Sequence, residues 1–317
     1  MVHNISRVHQ ATLHPLDQPA LVVLAAGMGS RFGGDKQVVN VGPRGETILD
    51  FTAFDALRAG FVETVLVVRQ ENQPLVHDLV GARLAQHMPV RYAVQDIAEP
   101  LPGVHSPPDR RKPWGTAHAL ACALRGLERP CGVVNADDWY SPTGIRALAR
   151  LLARRDATGA LIAYPLGRTL SPNGPVNRAV CTFTKSSCLA SITETIGIVA
   201  GPGGAHAEVR AKDGSVTKTL ANDTPVSLNL WGFQPDFYAP FIADVEAFIR
   251  AHLANADTEC FLPVLAMAGC ERHGWEIRCD LAQADWTGLT YQADRAAVQA
   301  RLKAATDAGE YPSPLWG

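Results

Sequence analysis

The sequence predicts an α/β fold built on a doubly wound, mainly parallel sheet. In the first half of the 317 residues, short apolar runs alternate with stretches that carry helix caps, and such alternation favours parallel strands joined by helices. Hydrophobic residues make up 47% of the chain and charged residues 19%, which is enough apolar surface for a large core. In the second half several β-like runs follow one another, so we expect a mixed sheet with a β-rich insertion.

Four apolar runs in the first half are the expected parallel strands. Thr47 can cap a helix that Gly60 ends, since threonine favours the N-cap and glycine the position after a helix. Ser141 followed by proline marks another helix start. The predicted strands are 21–26, 62–68, 90–94 and 131–136, and the predicted helices are 48–59, a stretch through about 83, 116–125 and one from 141.

The second half is expected to be richer in strands. Asp213 and Gly214 form a good hairpin turn, and apolar residues from 236 onward have helical spacing. We find no internal repeat and no clean linker, and therefore expect one domain over 1–317, with halves of about 18–158 and 159–317. The predicted elements are strands near 160–164, 178–184, 188–193, 206–219 and 226–233, and helices from 236 and over 294–309.

Charge and cysteine content restrict the possible partners. The formal net charge is −2 and there is no basic block, so we expect neither a nucleic-acid partner nor a membrane-surface partner. The seven cysteines form no C-x-x-C pair, which favours reduced thiols in the cytoplasm over a disulfide framework or a structural zinc site. No apolar run approaches 18 residues and no signal peptide is visible at the start, so no membrane span is expected.

Residues 21–37 contain the most informative motif. A buried strand runs into a loop with four glycines, Arg31 and Lys36. Backbone N–H groups of such a loop can surround phosphate oxygens, and the two cations can neutralise a polyphosphate. The loop does not fit a dinucleotide fingerprint, because Phe32 occupies the third glycine position, and it lacks the G-K-[ST] of a P-loop. A nucleoside triphosphate site is the favoured interpretation, with a simple glycine turn as the alternative.

The run A-A-G-x-G-x-R, followed by K-Q, resembles the signature of the sugar-phosphate nucleotidylyltransferases of the NTP-transferase family. The resemblance spans nearly the whole chain, including 309–316, and points to a bacterial branch. It implies a Rossmann-like nucleotidyltransferase fold with a β-rich sugar-binding insertion, an NTP and a sugar 1-phosphate as substrates, and Mg²⁺ as cofactor. It also implies that Arg31 and Lys36 are catalytic. The loop residues that would bind the nucleotide are Ala25, Ala26, Gly27, Gly29 and Ser30.

Gln95, Gly115 and Thr116 are the candidate base-binding residues. The resemblance implies that Gln95, at a strand end, reads the base and that Gly115 and Thr116 back it. An amide offers the donor and acceptor that uracil or thymine requires, and a helix that starts at Thr116 favours nearby anions. A solvated strand end and a simple helix cap are the alternatives. We interpret His118 as a packed residue and not as an acid or base.

Asp137 and Asp138 follow the fourth strand, where ligands of open α/β sheets bind. Mg²⁺ usually takes one or two carboxylates plus substrate phosphates. The resemblance implies that Asp137 holds the metal, while Asp138 either supports it or contacts the ribose; helix-capping carboxylates are the alternative. For a second metal ligand the matching segment is 285–291, in which Asp285 is chemically better than Thr290. This segment departs from the family pattern.

Sugar-phosphate contacts are expected from the insertion. The resemblance places a glutamate on one insertion strand and an asparagine on a later one. A lysine that many members carry after the glutamate is Thr195 here, so another residue must hold the phosphate. For each candidate, ordinary strand polarity or core packing is the alternative. The candidates are Asn177, Arg178, Glu194, Asn229 and Trp231, the last as an apolar face for a pyranose ring.

The expected reaction joins an NTP, with UTP slightly preferred over dTTP, to a sugar 1-phosphate and releases pyrophosphate. The attacking phosphate oxygen is already anionic near neutral pH, so positioning and charge stabilisation suffice. Loss of Lys36 is expected to lower turnover on the order of 10²–10³-fold. The alternatives are a cytidylyltransferase acting on a phosphate such as phosphocholine, a non-catalytic nucleotide-binding regulatory protein, and a dehydrogenase.

Overall fold

A mixed sheet, with eleven strands in the described part of the chain, forms the centre of the fold. This computed structural model describes residues 15–27, 40–289, 291 and 293–317. One side of the sheet consists of parallel strands in the order β3-β2-β1-β4. Their bounds are β1 (Ala20–Leu24), β2 (Glu63–Val68), β3 (Val90–Val94) and β4 (Cys131–Asn135).

Helices cover both faces of this parallel part. Along β1, Ala20 and Val22 pack into one core cluster, and Leu21 and Val23 pack into another on the opposite face. A strand buried on both faces has a continuous apolar sequence, and the predicted doubly wound fold is confirmed. One face carries α1 (Ile48–Arg58), α2 (Gln73–Val76), a π-helical segment His77–Gly81, α3 (Ala82–Leu84) and α5 (Ser141–Arg154), and the other carries α4 (Thr116–Leu124), α6 (Tyr238–His252) and α7 (Leu262–His273).

The second half adds an antiparallel meander to the sheet, as the β-like runs predict. Four strands, β7 to β10, pair in sequence order. A further pair of strands, β6 and β12, is parallel. The bounds are β6 (Gly159–Pro165), β7 (Val176–Phe183), β8 (Leu189–Ala200), β9 (Ala207–Arg210), β10 (Val216–Leu220), β11 (Pro225–Phe233) and β12 (Ile277–Leu281).

Strand β11 connects the two parts of the sheet and opens a fork between them. Its first half pairs with β7, where Ser227 lies opposite Ala179, and its second half pairs with β4, where Trp231 lies opposite Val133. Both neighbours are antiparallel to β11, so the carboxyl end of β4 and the amino end of β7 approach each other at residues 228–230. We call this opening the fork. It lies at the carboxyl edge of the parallel strands, where ligands bind in such sheets.

A short ladder and the C-terminal segment complete the molecule. β5 (Asp138–Trp139) pairs with β13 (Thr287–Gly288), and α8 (Asp294–Asp307) follows. Beyond α8, Tyr311 donates to Asp55 Oδ2 (2.6 Å) and accepts from Trp139 Nε1 (2.8 Å). The C-terminal segment is therefore bonded to α1 and to β5.

Besides the two-residue strands β5 and β13, two longer elements had no counterpart among our predictions, although each has a sequence signal. α7 buries Leu262, Leu265, Ala266 and Gly269, a spacing typical of one helix face. β12 alternates apolar with charged residues over Ile277–Leu281. None of the helices in the described ranges is long and apolar enough to cross a membrane.

Candidate active site

The glycine loop leaves the sheet beside β4. Leu24, the last residue of β1, pairs with Asn135, the last of β4, and the Ala136 N–H donates to the Leu24 carbonyl (3.4 Å). Ala25 and Ala26 are buried, while Gly27 is exposed. The loop and the two aspartates after β4 therefore start from adjacent strand ends. Gly29, Ser30, Arg31 and Lys36 lie outside the described residues, so their expected roles stay predictions.

Asp138 lies in a polar network inside the protein. Asn135 Nδ2 donates to Asp138 Oδ2 (2.8 Å), and the Tyr140 hydroxyl lies 3.2 Å from the same oxygen. A β-carbon at Gly288 would lie only 2.3 Å from Asp138 Oδ1, so β13 covers the other oxygen. Asp138 is buried and fixes the segment after β4. The expected ribose contact stays a prediction.

Asn229 connects this network to β11. Its Nδ2 donates to Asn135 Oδ1 (3.4 Å), and Trp231 Nε1 donates to Asn229 Oδ1 (3.3 Å). Trp231 itself is fully buried and stacks on Phe233. The expectation that Trp231 offers a face to a sugar ring is wrong, because no part of the ring is accessible. Its indole instead holds the Asn229 amide at the fork.

Asp137 is the more accessible of the two aspartates. Burial, and then the neighbouring charge of Asp137, raise the pKa of Asp138 to about 7. A divalent cation beside these two carboxyl groups would offset their repulsion. Within the described residues no group of three His, Cys, Asp or Glu side chains could hold a metal. The donor set fits Mg²⁺ held by one protein carboxylate, with phosphate oxygens and water as its other ligands.

Asp285 is not a second metal ligand. One oxygen pairs with Arg301 (2.9 Å) and the other with Arg168 (3.7 Å). The Arg301 guanidinium lies over the Trp139 ring, and Trp139 and Asp138 are successive residues of β5, whose side chains point to opposite faces. Asp285 is therefore on the side of β5 away from the aspartate network. The expected metal contact is corrected to an ion pair with two arginines.

Arg178 and Glu194 lie on the insertion side of the fork. The Arg178 guanidinium donates to the carbonyl oxygens of Thr169 and Asn177 and lies over the Trp286 ring. Burial lowers the pKa of Arg178, while Asp138 and then Glu194 raise it. Arg178 is thus fixed by neutral groups, with its charge near both carboxylates. This arrangement fits the expected contact with a phosphate or a sugar hydroxyl.

Asn177 and Glu194 occupy neighbouring strands. Asn177 is exposed, and its Oδ1 accepts from the Gly197 N–H of β8 (3.2 Å). Glu194 lies opposite Ala179 in the β7–β8 ladder. Partial burial raises the pKa of Glu194, and Arg178 lowers it. Asn177 therefore connects β7 to β8 through a hydrogen bond, whereas Glu194 remains an exposed hydrogen-bond acceptor near Arg178.

Gln95 ends β3 with its amide fixed by α4. Its Nε2 donates to the Gly115 carbonyl (2.9 Å) and lies 3.3 Å from His118 Nδ1. A carbonyl can only accept, so the amide orientation is determined. In the described chain no donor reaches Oε1, and this acceptor is what Gln95 can offer a base. Burial lowers the pKa of His118 to about 4, and its Nε2 donates to Pro100 O, as expected of a packed histidine.

Gly115 and Thr116 have internal partners. A β-carbon at Gly115 would lie 2.3 Å from the Cys260 carbonyl oxygen, and its φ is +90°, so the chain itself requires glycine there. Thr116 Oγ1 accepts from the Leu262 N–H (2.9 Å). Both residues bind α4 to the start of α7. These contacts alone explain why glycine and threonine occur at the two positions, whether or not a nucleotide base packs against them.

Three residues that position Asp138 escaped the sequence reasoning. Asn135 and Tyr140 hold Asp138, and Thr52 Oγ1 donates to the Asp138 carbonyl (3.1 Å). The available signal was the polar run of Asn135 and two aspartates directly after an apolar strand. Thr52 gave no signal, because its partner is 86 residues away.

Comparison with known proteins decides the family. Residues 21–214 match the MobA-like NTP transferase domain. The chain belongs to this family. It is therefore a nucleotidyltransferase that acts on a phosphate substrate, as the loop predicts, and the dehydrogenase alternative is excluded. No curated protein matches the sequence.

Solved structures share the fold of this nucleotidyltransferase. A Bacillus anthracis protein assigned as a glucose-1-phosphate thymidylyltransferase, in complex with a sucrose, matches with a TM-score of 0.60 and 13% identity, over 90% of this chain and 95% of its own. The inositol-1-phosphate CTP transferase of T. maritima matches with a TM-score of 0.58 and 13% identity, over 92% and 98%. At such identity the likeness extends to the fold alone.

Proposed function

We propose that the protein transfers a nucleotidyl group from a pyrimidine NTP to a sugar 1-phosphate and releases pyrophosphate. The observation that carries the proposal is the fork. There the carboxyl end of β4, with Asp137, meets insertion strands that bear Arg178 and Glu194. A triphosphate held by the loop after β1 would be adjacent to Asp137, and an acceptor phosphate would approach from the insertion.

The base is proposed to be a pyrimidine because of Gln95. Its Oε1 is an acceptor, which suits the N3–H of uracil or thymine. The hydrogen bond from Nε2 to the Gly115 carbonyl favours this orientation of the amide. An acceptor also suits the N–H groups of purines, so the expected preference for UTP and dTTP over purine nucleotides rests on the family resemblance at Gln95.

Asp137 is the residue that would hold Mg²⁺, which when bound would neutralise charge on the phosphoryl oxygens. Arg31 and Lys36 are proposed to stabilise the departing pyrophosphate. Arg178 would orient the acceptor phosphate. Glu194 would accept hydrogen bonds from the sugar hydroxyl groups, and Asn229 would donate hydrogen bonds to them or accept hydrogen bonds from them. The acceptor oxygen is already anionic, so no residue needs to act as a general base.

A panel of substrates tests the proposal. UTP, dTTP, CTP, ATP and GTP are each combined with glucose, galactose and mannose 1-phosphates in the presence of magnesium, and pyrophosphate release is measured. We expect release with a pyrimidine nucleotide and at least one sugar 1-phosphate. Release only with purine nucleotides would refute the role of Gln95, and no release with any sugar phosphate would refute the acceptor class.

A cytidylyltransferase with a non-sugar acceptor is the second candidate. The Gln95 Oε1 acceptor also suits the exocyclic amino group of cytosine, and the burial of Trp231 removes the aromatic platform expected for a pyranose ring. CTP with phosphocholine or inositol 1-phosphate belongs in the same panel. Turnover there, without turnover of sugar 1-phosphates, would favour this candidate.

A further inference from the structure

A cavity lies behind β5, on the side opposite the aspartate network. Trp139 contributes to its wall, and its volume is about 380 Å³, within the range of roughly 300–1,000 Å³ typical of small-molecule pockets. Asp137 and Asp138 do not line it. The charged residues that do are Arg58, Arg146, Arg168, Arg301, Asp285 and Glu310.

The lining of this arginine cavity has an excess of two positive charges, from four arginines and two carboxylates. Asp285 is shared between Arg168 and Arg301. Because a single carboxylate serves two guanidinium groups, both retain hydrogen-bond donors that can turn towards a ligand. The cavity is thus only partly neutralised by the protein.

The other two arginines are held by neutral groups. Arg58 donates to the Glu310 carbonyl (2.9 Å) and lies over the Phe54 ring, while Arg146 lies 3.4 Å from Thr143 Oγ1. In the described chain neither has a carboxylate at ion-pair distance. Contacts of this kind fix a guanidinium without cancelling its charge, as in sites prepared for an anion.

Helix α5 adds to the positive potential. Ser141, Pro142 and Thr143 line the cavity and form the first turn of this 14-residue helix, whose amino end carries a partial positive charge. The carboxyl of Asp55, which interacts electrostatically with Arg58 and Arg146, is buried, and burial raises its pKa to about 7. Asp55 therefore cancels little of the arginine charge below that pH.

We infer that the arginine cavity binds a small molecule with a phosphoryl group, at a site separate from the fork. Guanidinium groups pair bidentately with phosphate oxygens, and a terminal phosphoryl group has three such oxygens for the four arginines. Carboxylates and halides offer fewer acceptors and should bind more weakly.

Calorimetric titration with pyrophosphate, in the absence of divalent ions, tests the inference. The full-length wild-type protein is compared with the Arg58→Gln/Arg146→Gln variant. A matched control, Arg150→Gln/Arg154→Gln, removes the same charge from α5 positions outside the cavity lining. Arg58→Lys/Arg146→Lys keeps the charge but loses the planar fork. Circular dichroism verifies that all four proteins are folded.

We expect the glutamine cavity variant to bind pyrophosphate at least about tenfold more weakly at one class of sites, because it loses charge-assisted hydrogen bonds to the phosphoryl oxygens. The control should match wild type, and the lysine variant should fall between. Pyrophosphate binding at the fork contributes equally to all four proteins. Identical titrations for wild type and the glutamine variant, or an equal loss in the control, would overturn the inference. Neither result depends on turnover, so a failed substrate panel is a separate outcome.

Discussion

The two aspartates after β4 differ in role although they are adjacent in the sequence. Asp138 accepts from Asn135 and faces Gly288, so its position is set on both sides. Asp137 lies between β4 and β5 and is more accessible. The fixed neighbour reduces the freedom of Asp137, and preorganisation of this kind is how an active site lowers the cost of binding a transition state.

The division of roles predicts unequal effects of two carboxylate substitutions. Asp137→Asn should lower kcat/KM by about 10²-fold or more, because it removes the carboxylate proposed to hold magnesium. Asp285→Asn should change it by less than about threefold, since that carboxylate serves an ion pair of modest value. Steady-state assays with magnesium, at matched protein stability, compare the two. The reverse order of effects would restore Asp285 as the metal ligand.

At the scale of elements, β11 is the decisive strand. Its pairing with β6 shifts register between Ser227 and Trp231, and Asn229 within the shift has φ +64°. Such a bulge redirects side chains next to a binding site. Here it turns the Asn229 amide towards Asn135 while the following residues return to the core.

The backbone at Asn229 predicts a difference between two truncations. Asn229→Gly and Asn229→Ala both remove the amide that holds Asn135, so both should lower kcat/KM to a similar extent. The alanine variant should also be less stable by about 1 kcal/mol, because a β-carbon at positive φ is strained. Urea unfolding measures the difference. Equal stabilities would mean that the backbone relaxes out of the left-handed region.

The sequence was sufficient for the elements that local signals specify. The run before Asp137 and the cap at Thr47 gave β4 and α1 within about one residue. The positions of Trp231 and Asp285 could not be predicted in this way. The position of Trp231 depends on a bulge, and the only sequence signal for that bulge is Asn229, because asparagine tolerates positive φ. The position of Asp285 depends on Arg168 and Arg301, which come close to it only in the tertiary fold.

At the scale of the whole molecule, the C-terminal segment joins α1 through a buried carboxyl group. Asp55 accepts from Tyr311 through Oδ2, while its Oδ1 has no hydrogen-bond partner in the described chain. Burial raises the pKa of Asp55 from 3.8 to about 7. The folded state therefore binds a proton that the unfolded state releases above about pH 4.

This carboxyl group predicts a pH dependence of stability. Between about pH 4 and pH 7 the folded state holds more protons than the unfolded state. The contribution of Asp55 to the free energy of unfolding therefore falls as pH rises, by up to about 4 kcal/mol for a pKa raised from about 4 to about 7. Asp55→Asn keeps an acceptor for Tyr311 and removes this fall, and at pH 8 it should be at least as stable as wild type. Urea unfolding from pH 5 to pH 8 measures both proteins. Asp138 is present in both proteins and affects both in the same way. If their free energies of unfolding depended on pH in parallel, the assignment of this pH dependence to Asp55 would be contradicted.

The pairing of β5 with β13 has a consequence for biosynthesis. The Leu289 N–H donates to the Asp137 carbonyl (3.1 Å), Gly288 lies opposite Asp138, and Tyr311 accepts from Trp139. During translation the ribosome makes the aspartate segment about 150 to 170 residues before these supports. A nascent chain released before residue 289 would have its parallel strands but a loosely held Asp137, the proposed metal ligand, so premature termination should yield an inactive product even where that product folds.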